Sequence, residues 1–213
     1  MPLLPLFPLP NVVLFPGVLL PLHIFEPRYR ALAADVLEGD RTLGMVLLRS
    51  GWESDYDGRP SVHEIGCSGV IVHAVRLDDG RYNIVLRGLE RFRVLDEDHE
   101  RAYRRARIER MPEPPLNDAD RRALSDVRVK IEGCLGLSGR AALDAQGSSA
   151  AQLAAMSDTD LVHTLAQYLD LAPVEKQALL ERDSTTHLAE ALFDLLEMKR
   201  LEATLPVVPN VSH

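Results

Sequence analysis

The stretch that decides the fold lies near the amino terminus and reads Leu6-Phe7-Pro8-Leu9-Pro10-Asn11-Val12-Val13-Leu14-Phe15-Pro16-Gly17, continuing after two residues as Leu20-Pro21-Leu22-His23-Ile24-Phe25-Glu26-Pro27-Arg28-Tyr29. Residues 1–22 carry no charged side chain, and an apolar segment of about 20 residues can cross a bilayer as a helix. Prolines at positions 2, 5, 8, 10, 16 and 21 exclude that helix, because each interior proline costs about 3 kcal/mol. We therefore expect extended strands here. A secretory signal is not expected either, since it needs a cationic start and an unbroken apolar run.

This stretch predicts two strands and one helix. Residues 3–9 alternate leucine or phenylalanine with proline. Because proline cannot donate a hydrogen bond to a central ladder, we expect an edge strand at 3–9. Residues 18–24 form a second short apolar strand. Pro27 suits the first position of a helix, in which apolar residues repeat at helical spacing until Gly39.

Further short strands are predicted downstream. The clearest signal is Asp78-Asp79-Gly80, because aspartate and glycine tolerate the positive φ of a tight hairpin turn. Six or seven short strands with one early helix favour a partly closed β-structure over a parallel α/β sheet. The predicted strands are 3–9, 18–24, 43–48, 65–77, 81–87, 90–95 and 103–111.

The hydrophobic period changes from two to 3.6 after Pro112-Glu113-Pro114-Pro115. The segment 138–151 is small and polar, and we expect a loop there. The sequence thus predicts an α+β chain with a β-rich part at 1–116 and a helical bundle at 117–213. Four helix starts are predicted in the second part, at Asn117, Ser157, Pro173 and about Thr185.

Charge and cysteine content exclude several classes of protein. The chain has 32 acidic and 24 basic side chains, a net charge of −8, and the two signs are mixed along its length. This balance disfavours nucleic acid and anionic membranes as partners. Five arginines between 101 and 110 invite an RNA hypothesis, but neighbouring carboxylates favour a solvated strand face. Two distant cysteines, Cys67 and Cys134, form no disulfide or zinc pattern, so we expect a reduced, cytoplasmic protein.

No catalytic motif is present. A phosphate loop needs GxxxxGK[ST], and none of the three lysines follows a glycine. A hydrolase needs a nucleophile on a strained turn, and no GxSxG occurs. Cys67 is expected to be a buried apolar side chain, and His23 is more simply a structural histidine than a base. We therefore predict no catalytic residue, no metal site and no cofactor.

The quoted amino-terminal stretch closely resembles the opening of the Lon protease N-terminal domain. Gly66-Cys67, Asp79-Gly80-Arg81-Tyr82 and Gly88-Leu89-Glu90-Arg91-Phe92-Arg93-Val94 follow in the expected order, so the resemblance covers nearly the whole chain. It implies a PUA-like β-barrel followed by helices, and a part in recognising proteins for degradation. It implies no enzyme activity, because ATP hydrolysis and the Ser-Lys peptidase centre belong to later domains of Lon.

The expected function is a non-catalytic module that binds exposed apolar segments of client proteins, with the edge strand 3–9 as a candidate docking edge. An equally simple interpretation is that the prolines of this strand only prevent aggregation at the sheet edge. Two other classes stay open: a small ligand in a barrel pocket, and RNA by analogy of fold. The residues leave the oligomeric state open.

The candidate binding residues lie around the turn before the first helix. Phe25, Glu26 and Arg28 occupy this turn, and we expect Arg81 and Arg91 of the meander to lie nearby. The alternative is that the turn is scaffold, with Glu26 favouring the helix start and Arg28 pairing with a carboxylate. In either case Ile24 and Tyr29 are expected to pack inward.

Overall fold

The computed structural model describes residues 3–56, 58–134 and 150–204. In these ranges no helix combines the length and the apolarity that crossing a bilayer requires. The strands are β1 Leu4–Leu9, β2 Leu19–Ile24, β3 Thr42–Leu47, β4 Ile65–Arg76, β5 Tyr82–Asp98 and β6 Arg104–Met111. The helices are α1 Pro27–Glu38, α2 Asp118–Cys134, α3 Ala150–Ala155, α4 Asp158–Tyr168, α5 Pro173–Leu180 and α6 Thr185–Thr204, with a 3-10 turn at Trp52–Asp55.

The six strands form one sheet in the order β2-β5-β4-β3-β1-β6, and β6 also pairs with β5. Five strands therefore make a closed circuit, and β2 lies outside it. The β1–β3 pair is parallel and the other pairs are antiparallel. The α+β class is confirmed. The sheet is not a regular barrel, because the register of β5 shifts against both β4 and β6.

β1 is an interior strand, so the prediction of an edge strand at residues 3–9 is wrong. Residues 4–6 pair with β6, and residues 6–9 pair with β3. Each half of β1 is thus in register with one of its two neighbours. Pro5 and Pro8 therefore each have one side on which no registered strand requires a backbone N–H, and proline is tolerated there. The edge strand is β2, which among the strands of the described residues pairs with β5 alone.

β5 is one strand of 17 residues, where the sequence predicted separate strands at 81–87 and 90–95. Gly88 joins the two parts. A Cβ built at this position would lie 2.1 Å from the Phe15 carbonyl oxygen, so only glycine lets the loop after residue 12 approach the strand this closely. The strand continues through Gly88 because the backbone of this glycine stays hydrogen-bonded. Its N–H donates to the Val18 carbonyl oxygen at 2.9 Å.

The predicted helices after residue 116 are confirmed. The Asn117 side chain accepts hydrogen bonds from two backbone N–H groups at the start of α2, and the Ser157 side chain caps α4. The predicted loop lies outside the described residues at 138–149. Its last two residues, 150 and 151, belong instead to α3.

The helices share one hydrophobic core with the sheet. The buried cluster runs without a break from Phe15, Leu32 and Leu86 to Leu165 and Leu192. A second, smaller cluster lies under β1 and contains Leu6, Val46, Phe92 and Ala106. The end of β6 and the start of α2 flank the proposed boundary at 112–116, and the division into 1–116 and 117–213 stays a prediction.

Candidate functional site

The side chains that most resemble catalytic groups are buried or bonded. Cys67 is fully buried, and burial raises the pKa of its thiol, so the thiolate is disfavoured. The Ser68 hydroxyl donates to the Glu90 carbonyl oxygen at 3.0 Å. Across 3–56, 58–134 and 150–204, no group of three His, Cys, Asp or Glu side chains is placed to hold a metal ion.

Glu26 and Arg28 form a closed polar cluster with Tyr56. The Tyr56 hydroxyl donates to Glu26 Oε1 at 2.5 Å, and Arg28 lies 3.0 Å from Glu26 Oε2. Arg28 also donates to the Tyr56 carbonyl oxygen at 3.1 Å, and its guanidinium lies over the rings of Tyr29 and Tyr56. These contacts fasten the loop after β3 to the start of α1. The pairing of Arg28 with a carboxylate agrees with the scaffold alternative, whereas the Glu26 side chain makes no capping hydrogen bond at the start of α1.

Phe25 and Arg81 lie together on the surface, joined by His23. The Phe25 side chain is 60% exposed and stacks on the His23 ring at a centroid distance of 6.2 Å. Arg81 Nη1 lies 3.2 Å from His23 Nε2, and His23 Nδ1 lies 2.7 Å from Asn83 Oδ1. Arginine only donates, so Nε2 accepts and Nδ1 carries the proton that bonds Asn83.

Arg91 lies elsewhere and is buried. Its guanidinium donates to the backbone carbonyls of Leu180, Arg182 and Asp183 and to the Glu113 carboxylate. The structure therefore places it between β5 and the helices and separates it from the turn that holds Phe25. Ile24 and Tyr29 are buried, as predicted.

The outer surface of β2, β5 and β4 around Phe25 is a continuous sheet face with exposed apolar side chains. Directly paired residues of an antiparallel sheet share a face, so the register defines its rows. Leu19, Val72 and Val75 are each between 44% and 48% exposed. The paired rows of this β2–β5–β4 face are Leu19–Arg87–Val70, Pro21–Val85–His73 and His23–Asn83–Val75, with Val72 as the extra residue of a bulge.

Sequence reasoning missed this face. Leu20, Leu22 and Ile24 point into the core between the outward residues of β2, and the outward residues are also largely apolar. The alternation that marks a half-buried strand is therefore absent from the sequence of β2. The exposed positions of β2 can therefore be identified only in the folded structure.

The open edge of β2 offers few backbone partners. The Val18 carbonyl faces β5, so residues 19, 21 and 23 direct their backbone polar groups away from it. The Leu19 carbonyl already accepts from the Tyr168 hydroxyl at 2.5 Å, and Pro21 has no N–H. A peptide added as a further strand would find N–H donors at Leu19 and His23 and none at Pro21.

A cleft of about 930 Å³ lies on another side of the molecule, between the end of α1, the start of β1 and β6. Its volume is within the range of small-molecule sites. Its polar groups largely bond one another, since the Tyr103 hydroxyl donates to Asp35 Oδ2 at 2.7 Å and Arg101 pairs with the same carboxylate.

The arginines between 101 and 110 are paired with carboxylates. Arg101 pairs with Asp35, Arg104 with Glu97, Arg105 with Asp98, Arg107 with Asp96 and Arg110 with Glu90. Most of these pairs cross from β6 to β5. The five arginines therefore provide no surplus of positive charge of the kind that phosphate binding needs.

The chain matches the sequence profile of a family described as the ATP-dependent protease La (LON) substrate-binding domain, over residues 3–198. Among similar proteins, Lon protease 2 of Syntrophobacter fumaroxidans is 30% identical over 84% of this chain, and Lon protease 2 of Myxococcus xanthus is 29% identical over 92%. The chain spans 22% and 24% of the length of these two proteases.

Two solved structures share the fold. The N-terminal domain of Mycobacterium avium complex Lon protease superposes with a TM-score of 0.69, at 16% identity, over 92% of this chain and 98% of that domain. A Lon N-terminal domain protein from Xanthomonas campestris gives a TM-score of 0.58, at 21% identity, over 97% of this chain and all of the other. The matches cover the substrate-binding domain of Lon and do not extend to its ATPase and peptidase domains. The chain belongs to the Lon substrate-binding domain family.

Proposed function

We propose that this chain is a non-catalytic module that recognises exposed apolar segments of client proteins through the β2–β5–β4 face, with Phe25 at its border. The observation that carries the proposal is the set of half-exposed apolar side chains on one sheet surface. A continuous apolar patch on a folded protein is typical of an interaction site. Family membership supports protein substrates as the ligand class.

The side chains of this face, more than the β2 edge, are the proposed contact surface. Strand addition gains its affinity from main-chain hydrogen bonds, and the row of such groups on the β2 edge is interrupted, because Pro21 has no N–H and the Leu19 carbonyl accepts from the Tyr168 hydroxyl. Pro21 also protects the β2 edge from aggregation, the same role that was the alternative for the prolines of residues 3–9. The closed circuit of five strands is, in this proposal, the PUA-like barrel that presents the face. Two free cysteines are consistent with a cytoplasmic location.

The test replaces exposed apolar side chains by serine and measures binding to a reduced, alkylated and fluorescently labelled unfolded protein. Phe25→Ser and Val75→Ser together should weaken binding about tenfold or more, because each removes apolar area that the ligand would cover. The control is Val129→Ser on α2, where a valine that is 67% exposed lies outside the proposed face. Unchanged affinity in the double variant, with an unchanged melting temperature, would contradict the proposal.

A small ligand in the 930 Å³ cleft is the second candidate, favoured by the volume of the cleft alone. Thermal unfolding in a library of metabolite mixtures tests it. A rise in melting temperature that Ile108→Trp abolishes would support this candidate, because the larger side chain would fill the cleft.

A further inference from the structure

The β2–β5–β4 face carries positive charge in a chain whose net charge is −8. Arg87 of β5 is exposed and belongs to this face, because it is paired with Leu19 and Val70. The paired rows contain no carboxylate. Acidic residues that flank the face along the chain are paired with arginines: Glu26 with Arg28, Asp79 with Arg81 and Glu90 with Arg110. The face is therefore locally cationic within an acidic protein.

Arg87 is the centre of this charge. It lies in register between Leu19 of β2 and Val70 of β4, with Val85 two residues away on the same face. Cross-strand neighbours of this kind have Cβ atoms about 5 Å apart, so apolar side chains flank the arginine stem. Its guanidinium has no hydrogen bond or ion pair with any residue in the described part of the chain.

The position of Arg87 separates it from the hairpin carboxylates. Residues 81 and 87 are six positions apart along an extended strand, or about 20 Å. Arg76 does not belong to this face, because it is paired with the buried Tyr82 and lies over that ring at 6.0 Å. Arg87 is thus an exposed cation with all its donors available, surrounded by apolar surface.

We infer that the proposed client segments carry a carboxylate among their apolar residues, and that Arg87 binds this carboxylate while Leu19 and Val70 contact its apolar neighbours. The inference rests on the proposed function and narrows it to acidic apolar peptides. A guanidinium matches a carboxylate with two parallel N–H···O hydrogen bonds, which selects it over a neutral amide of the same shape.

The experiment compares two synthetic nine-residue peptides of valine, threonine and phenylalanine that differ only in a central Glu or Gln. Binding is measured by fluorescence anisotropy for the unmodified protein, for Arg87→Gln and for the control Arg122→Gln on the exposed side of α2. The Glu peptide should bind the unmodified protein and Arg122→Gln about three- to tenfold more tightly than the Gln peptide. Arg87→Gln should remove this difference, so that the two peptides bind the variant with equal affinity.

The possible outcomes separate the two proposals. Equal affinity of both peptides for the unmodified protein would overturn the carboxylate preference and leave apolar recognition standing. A preference that survives in Arg87→Gln would overturn the assignment to Arg87. Binding of neither peptide would overturn both proposals. A preference that shrinks in 0.5 M sodium chloride supports the ion pair, because salt screens exposed charges.

Discussion

At the residue scale, neighbouring side chains of one turn have opposite environments. Phe25 projects into solvent, whereas Glu26 and Arg28 bind each other and Tyr56. A polar residue in a distinctive motif can therefore be scaffold while the apolar residue beside it is accessible. Burial also affects titratable side chains. His163 on α4 is largely buried, close to the Phe15 ring and hydrogen-bonded to the Pro16 backbone.

Burial lowers the pKa of His163 below its ordinary value of 6.5, so stability should fall in mildly acidic solution. The unfolded chain takes up a proton near pH 6.5 that the folded chain resists, and the free energy of unfolding therefore decreases as the pH falls through this value. We expect His163→Gln to show a smaller loss of melting temperature between pH 7.5 and 5.5 than the unmodified protein. The exposed His187→Gln is the matched control. Equal pH dependence in all three proteins would contradict this account.

At the scale of elements, β5 organises the sheet because it pairs with β2, β4 and β6. Two glycines are required at β5, one for the turn that precedes the strand and one for a close backbone contact. Gly80, with a φ of 81°, closes the hairpin from β4, and Gly88 makes room for the loop at Phe15. The hairpin was visible in the sequence, whereas the contact at Gly88 depends on a segment more than 70 positions away.

Gly88→Ala should destabilise the protein by about 1–3 kcal/mol, because the added methyl group would lie 2.1 Å from a backbone oxygen that cannot move independently. Gly133→Ala is the matched control, since a Cβ there meets nothing within 4 Å. That change lies in α2 and should leave stability unchanged or raise it by up to about 1 kcal/mol. Urea unfolding monitored by circular dichroism measures both. Equal effects of the two substitutions would show that the Phe15 contact is unimportant.

At the scale of the whole molecule, buried polar side chains connect the sheet to the helices. Gln167 of α4 donates to the Val13 carbonyl oxygen at 2.9 Å and accepts from the Phe15 N–H at 3.2 Å. Gln177 of α5 donates to the Ile65 carbonyl oxygen at 2.9 Å. Together with Arg91 and the continuous core, they join the two parts of the chain.

We therefore expect thermal unfolding in one transition, and we expect Arg91→Ala to lower the free energy of unfolding by about 2–4 kcal/mol. Arg91 is 6% exposed, and its loss leaves three backbone carbonyls and Glu113 Oε2 without this donor. The exposed Arg122→Ala should change stability by less than about 0.5 kcal/mol. Calorimetry measures both quantities. Two separate transitions would instead support independent units at 1–116 and 117–213.

The sequence by itself determined the α+β class, the hairpin at residues 78–80, the helix caps at Asn117 and Ser157 and the absence of catalytic motifs. These features depend on local preference: a capping side chain, a φ that glycine tolerates, or a fixed spacing of residues. Tertiary structure decided that β1 is interior and β2 is the edge, because both strands contain proline among apolar residues and only their neighbours distinguish them. It also decided that Arg91 is buried, whereas Arg87, four residues earlier on the same strand, is exposed. Simple alternation would place residues 87 and 91 alike, but the register of β5 against β4 shifts between Gly88 and Arg91. After this shift the Arg91 guanidinium lies against the helical part of the chain, whose backbone carbonyls it binds, whereas Arg87 stays exposed.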